Sequence, residues 1–285
     1  MPSSSPWLVK TLEVLFWTYA ATVFQYHVIF NCEQLPVTEA MPAWILPVYR
    51  FLILGVLGST LLKSQPLDTG LLIFIGSITF SDLGLTVAFF MLTIYVTRLV
   101  NSDLPEAPKM PGMFVAVGPA AYTANTFVAL GMQAPKHIPD DFLGITWMLV
   151  GDIFKAFGVT AGILLWLVAF WFCALTTVSV LVSAKESHFT LNYCAFIFPN
   201  AGLIVALIRI ATALNSNSIK GVCSGATIIL IITWFFVAIS NIRGLVKKQV
   251  LWPGKDEDME DVEGQQDNLS EEEDNSRGRQ NNSDV

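Results

Sequence analysis

The chain has 285 residues, 53% hydrophobic and only 14% charged, with a mean hydropathy of +0.57. A soluble domain carries about 25% charged residues, and several apolar stretches here reach the roughly 20 residues that cross a hydrocarbon core as helix. This composition excludes a soluble globular protein and predicts an all-α polytopic membrane protein.

The net charge of −7 divides unevenly along the chain. Residues 255–285 hold twelve acids against Lys255, Arg277 and Arg279, which puts this tail at −9 and the rest of the chain at +2. No basic cluster pairs with aromatics in the manner of a nucleic-acid surface, so no nucleic-acid partner is predicted. The four cysteines, Cys32, Cys173, Cys194 and Cys223, form no CxxC pair and no zinc spacing. No metal site and no cofactor are predicted from them.

In chain order the hydropathy pattern predicts seven hydrophobic helices, over residues 12–30, 42–62, 71–99, 112–132, 147–183, 191–214 and 222–246. The first apolar run is too long for a cleavable signal and lacks a small-residue cleavage site. Pro105, Pro108 and Pro111 punctuate the approach to the fourth helix. The fifth helix exceeds one span, which places its start around Asp152 and Lys155 in the interface. A transmembrane domain over 1–252 is therefore followed by an acidic tail over 253–285, too polar to offset the entropy of ordering and predicted to be disordered. Within it Ser270 precedes Glu271, Glu272 and Glu273, a spacing that suits an acid-directed kinase.

Orientation follows from the placement of basic residues. With the C-terminus cytosolic, the inner loops and ends carry Arg98, Lys109, Lys185, Arg243, Lys247 and Lys248, against Lys10, Lys63, Lys136 and Lys220 outside.

Three alternate helices carry a proline near mid-span: Pro47, Pro119 and Pro199, spaced by 72 and 80 residues. Such a period marks a repeat, and repeated helix breaks at mid-membrane are where transporters place their sites. Proline inside a helix costs about 3 kcal/mol and leaves a carbonyl without its donor. That carbonyl is tolerable only where it meets protein or water. Alignment on the prolines gives one layer of Leu46, Gly118 and Phe198. A second layer, about 40° away on an α-helix, holds Arg50, Tyr122 and Gly202. Arg209 lies eleven residues past Phe198 and about 20° from its direction. Arg50 at helix centre costs about 2.5–3.5 kcal/mol to insert, so it is expected to face a cavity or a partner. Its planar guanidinium suits a carboxylate or another anion. A structural ion pair with Glu13 or Asp82 is the competing reading, and for Arg209 the competing reading is snorkelling from a helix end.

The runs MPAWILPVY (41–49), PGMFVAVGPAAYTA (111–124), LNYCAFIFPNAG (191–202) and VLWPGKDED (250–258) resemble the tellurite-resistance/dicarboxylate transporter family. The resemblance covers residues 7–258 and is strongest to the fungal malic-acid transport branch; slow anion channels of plants and yeast sulfite exporters are related. It implies ten helices in five hairpins, with five inner proline-kinked helices around a pore and a homotrimeric assembly. It implies transport of anions, malate or another C4-dicarboxylate first and sulfite as the alternative, across the plasma membrane. The second, fourth and sixth helices match the inner type, so Pro47, Pro119, Pro199, Gly118, Tyr122 and Gly202 would line or kink the pore. Phe198 matches the ring that occludes it, and Arg50 and Arg209 would meet the anion.

Two departures follow from the same comparison. Arg50 stands where proline is expected after the aromatic, and the match begins at the family's fourth helix. Three N-terminal helices, two of them inner, are thus expected to be missing, and a non-conducting subunit becomes the structural alternative to a carrier. Other classes lack their motifs: His27, His137 and His188 are scattered, there is no HExxH or GxSxG, and no receptor-type Asn-Pro-x-x-Tyr closes the seventh helix. No catalytic residue is predicted.

Overall fold

The computed structural model describes residues 6–30, 41–101, 104–105, 107–145, 148–183 and 190–246. The acidic segment with Ser270, together with Cys32, Trp147, Lys185, His188, Lys247 and Lys248, lies outside them. Among the described residues there is no strand. The chain forms α1 (Pro6–Phe30), α2 (Tyr49–Leu61), α3 (Leu67–Asn101), α4 (Gly118–Gly131), the short α5 (Ala134–His137), α6 (Val150–Ser183), α7 (Phe198–Ala213) and α8 (Asn217–Val246). Contacts divide the chain into two units, residues 1–188 with 192–234, and residues 189–191 with 235–285. The packing described below belongs to the first; the described part of the second is chiefly the end of α8.

Six helical stretches among the described residues are long and apolar enough to cross a membrane. The first expected span forms α1 but is not among them, because Lys10, Glu13, Gln25 and His27 dilute its apolar run. Its Phe16 is nevertheless fully buried, and a Cβ on Gly58 of α2 would lie 2.9 Å from that ring. The other six expected helices are present with their ends moved by a few residues. The sixth, for example, begins its α-helical part at Phe198 rather than Leu191.

That shift is systematic. Ahead of α2, α4 and α7 the chain winds as 3₁₀ helix, over Pro42–Val48, Met110–Val117 and Leu191–Phe196. A 3₁₀ stretch rises about 2.0 Å per residue against 1.5 Å in an α-helix. Each of the three spans is therefore a composite: a thin extended half, a switch beside the proline, and an α-helical half.

Contacts fix the directions of the composites. Phe114 packs on Phe196 at a ring-centroid distance of 4.7 Å and Tyr122 on Phe198 at 5.1 Å, so residue numbers rise together along the fourth and sixth spans. Tyr49 reaches Val115, and the carbonyl of Ser59 meets Gln133 at 2.8 Å, so the second and fourth spans also run parallel. The intervening helices run the opposite way. On α6, Gly158 and Gly162 repeat at one-turn spacing against α4, the small-residue pattern that lets membrane helices touch backbone to backbone. A Cβ on Gly158 would lie 2.6 Å from the Phe127 carbonyl oxygen and 3.0 Å from the Gly131 Cα. α4 with its 3₁₀ lead is the most enclosed span, packed on α2, α3, α6 and α7.

Because the neighbours of Gly158 are backbone atoms, which cannot rotate aside, Gly158→Ala separates α4 from α6. It should lower stability in detergent by about 1–3 kcal/mol, the usual range for overpacking. Gly221→Ala on α8, with nothing within 4 Å of the new methyl, serves as control and should be neutral or slightly stabilising. Thermal unfolding of the two variants checks this.

Candidate functional site

Where the fourth and sixth composites switch from 3₁₀ to α-helix, the prolines sit in the opening turn of the α-helix. Pro119 and Pro199 occupy the first turn of α4 and α7, and Pro47 is the penultimate residue of the 3₁₀ lead into α2. Sequence reasoning placed each proline as a kink inside one continuous helix. Pro119 and Pro199 instead open an α-helix, where the missing donor is one of the helix's own orphans, whereas Pro47 stays inside its 3₁₀ helix.

A proline leaves the carbonyl four residues back without its α-helical donor, and at the fourth span the replacement partner is explicit. Val115 lies four residues before Pro119, so proline cannot supply the α-helical bond to its carbonyl. The Gly118 N–H donates there in 3₁₀ fashion, and the Tyr49 hydroxyl donates to the same oxygen at 2.6 Å. Tyr49 is only 3% exposed. Its ring occupies the space over Gly118, where any Cβ would overlap the hydroxyl. At the sixth span the Asn200 amide donates to the Phe196 carbonyl at 2.9 Å, and the Cys173 thiol of α6 donates to Asn200 Oδ1 at 3.5 Å.

A second tyrosine also donates to a main-chain oxygen, one span further. Tyr122 stands one α-turn beyond Gly118, and its hydroxyl donates to the Phe198 carbonyl at 2.9 Å. Its ring packs on Gly202, where a Cβ would lie 3.0 Å from two ring carbons. The rings of Tyr49, Tyr122 and Phe198 then close on one another, with centroids 5.8, 5.2 and 5.1 Å apart. Aromatic pairs at such separations contribute about 0.5–1.5 kcal/mol each beyond their burial. Phe198 is the outermost of the three and stays 43% exposed.

The expected site residues therefore separate into two groups. Gly118, Tyr122, Phe198, Pro119, Pro199 and Gly202 converge, as the layer arithmetic required. Leu46 is half exposed, and Pro47 is partly buried in its 3₁₀ stretch. Arg50 does not take the place assigned to it; Tyr49 does. Residues three apart eclipse in a 3₁₀ helix, so counting from Leu46 through that stretch brings Tyr49, not Arg50, to the shared face. Arg50 is half-buried on another side of α2, where its charge reaches Tyr19 of α1. Arg209 is half-buried on α7, eleven residues and so about 16 Å along the helix from Phe198. Of the residues weighed as ion-pair partners, Asp82 is exposed on α3 and Glu13 is partly buried on α1. Tyr49 stood within the ILPVY run, and its signal was the glycine before Pro119, an empty place opposite an aromatic. No group of metal-ligating side chains occurs among the described residues.

Comparison with known proteins decides the family. The model of the voltage-dependent anion channel family (SLAC1) matches residues 1–242. The chain belongs to the voltage-dependent anion channel family. The "Malic acid transport protein" of Schizosaccharomyces pombe is 29% identical over 265 residues, covering 90% of this chain and 60% of that protein. A second protein of the same yeast, also named for malic acid transport, is 24% identical over 270 residues, covering 92% of this chain and 62% of its own length. The chain thus spans about three fifths of the length of these curated relatives. No solved structure matches it. Family and apolar helices together make this an integral membrane protein, as the sequence predicted.

Tyr49→Phe keeps the ring and removes the donor to Val115. It should destabilise the protein by about 1–3 kcal/mol, the desolvation cost of a buried carbonyl left short of a partner. Chemical unfolding in detergent, followed by tryptophan fluorescence, measures it.

Proposed function

We propose that the chain serves in the transmembrane movement of small organic anions, malate or another C4-dicarboxylate first, along a path lined by α2, α4 and α7 and obstructed by the Phe198 ring. The observation that carries this reading is the position of that ring. It lies at the joint of three parallel composite helices, held on one side by two tyrosines and open on the other. The family match supplies the class of cargo, and the two yeast relatives named for malic acid transport supply the first anion to try.

Arg50 and Arg209 are the cations proposed to attract the anion. Neither is in the ring cluster, so their part is to raise local anion concentration at successive depths rather than to grip cargo at the ring. Lys136 in α5 and Lys220 in the first turns of α8 would extend the same positive field at the outer end. The orientation that puts them outside has the C-terminus in the cytosol, with the plasma membrane as the proposed location and a homotrimer as the proposed assembly. Chemistry on the anion is no part of the proposal. Sulfite, compact and doubly charged, is the competing cargo.

Labelled-malate uptake in cells lacking their own permease, with surface expression checked, tests the reading. Phe198→Ala should raise uptake severalfold above the parent chain. Unlabelled succinate should compete, and sulfite should not. Arg50→Gln should reduce uptake about two- to tenfold, the loss of one modest attractive interaction of up to 1.4 kcal/mol. Uptake at background in both the parent and Phe198→Ala, from well-inserted protein, would sink the proposal for this chain. Competition by sulfite alone would exchange the cargo.

A further inference from the structure

We infer that Tyr122 is the positioning residue of the obstruction: its hydroxyl, bonded to the main-chain carbonyl of Phe198, holds the start of α7 so that the Phe198 ring lies against Tyr49 and Tyr122. This inference rests on the reading of Phe198 as the obstructing ring.

Three observations carry it. The Tyr122 hydroxyl to Phe198 carbonyl bond, at 2.9 Å, joins residues 76 apart in sequence and belonging to different spans. It ends on the first residue of α7, directly before Pro199, where the helix has only just switched from 3₁₀. The N-cap residue Ile197 has φ −93° and ψ −61°, and its N–H still bonds in 3₁₀ fashion to Cys194 at 3.1 Å. Pro199 has no N–H to place in the ladder. The switch is therefore the least tightly laddered point of the span, and the tyrosine hydroxyl is the added tie at that point.

The tie itself is anchored. Tyr122 rests on Gly202, where a side chain would lie within 3.0 Å of its ring, and its ring edge meets Tyr49 at 74°. Tyr49 is in turn fixed to Val115 on the far side. The second, fourth and sixth spans are thus linked in series, each by a phenol on a backbone oxygen beside a proline switch. Phe198, at the end of the series, has the most exposed ring, so it is the one free to move when the last link opens.

Tyr95 supplies a control. It is 1% exposed on α3, and its hydroxyl makes no hydrogen bond among the described residues. Tyr95→Phe therefore removes a buried phenolic oxygen without breaking a link, whereas Tyr122→Phe removes one that holds Phe198.

The deciding experiment places 4-fluorophenylalanine at position 198 of the full chain in lipid nanodiscs and reads its fluorine resonance. The parent should give one narrow line. Tyr122→Phe should shift that line or split it into exchanging components, and Tyr95→Phe should leave it in place. An unmoved line in Tyr122→Phe overturns the inference, whatever the transport assay shows. Malate uptake is measured beside it. Tyr122→Phe should raise uptake about two- to tenfold, the factor that one net hydrogen bond represents, and should add nothing on top of Phe198→Ala. Equal added effects in the two backgrounds would overturn the inference, because Tyr122 would then act elsewhere. A moved line with uptake insensitive to Phe198→Ala upholds Tyr122 as the holder of the ring and removes the obstruction reading instead.

Discussion

In a bilayer no water stands ready to accept or donate to the backbone, so each missing N–H must be answered within the protein. The arrangement of this molecule follows from that requirement at its prolines. A proline buried in a continuous helix would leave the carbonyl four residues back both without its donor and crowded by the ring. At the fourth and sixth spans, winding the first half as 3₁₀ helix moves the proline to the opening turn of an α-helix, where a donor is not needed. The carbonyl still short of a partner then becomes a fixed acceptor at a known depth, and at the fourth span Tyr49 from the neighbouring span answers it. Satisfying the backbone and joining the helices are the same act.

Glycine and tyrosine are complementary in this scheme. Gly118 and Gly202 are vacant on the sides where Tyr49 and Tyr122 lie, so the phenols can reach main-chain oxygens that a methyl group would shield. The opposite flank of α4 uses small residues differently, for direct backbone contact with α6 through Gly158 and Gly162. The central span is thus clamped on one side by dispersion at close range and on the other by directed hydrogen bonds. Such a helix can hold its depth while its neighbours adjust.

How much of this could be read from the sequence depended on which helix geometry applied at each residue. The all-α membrane architecture and six of the seven spans were readable because roughly twenty apolar residues in a row have few other uses. Tyr122, Gly118 and Gly202 were found because α4 and α7 are α-helical from just before their prolines onward, so counting at 100° per residue holds. The same counting failed at Arg50, because three of the steps from Leu46 lie in 3₁₀ winding, where each residue turns about 120°. Nothing local in PAWILPV separates 3₁₀ from α. α1 is helical as expected but falls short of the other spans in mean hydropathy, because Glu13, Gln25 and His27 interrupt its apolar residues. For Arg209 the count concerned direction alone, and about 16 Å of helix separates it from the Phe198 layer.

The bond from Tyr122 ends on an oxygen of the main chain, and every residue type offers that oxygen. The ring at position 198 and the anchor that sets its depth are therefore separable parts. Evolution or an engineer could exchange the side chain there for a narrower or wider one and keep the tether, the start of α7 and the Gly202 contact unchanged. On the proposed reading of Phe198 as the obstruction, a ring that can be resized without rebuilding its mount is one route by which a single scaffold could come to admit anions of different girth.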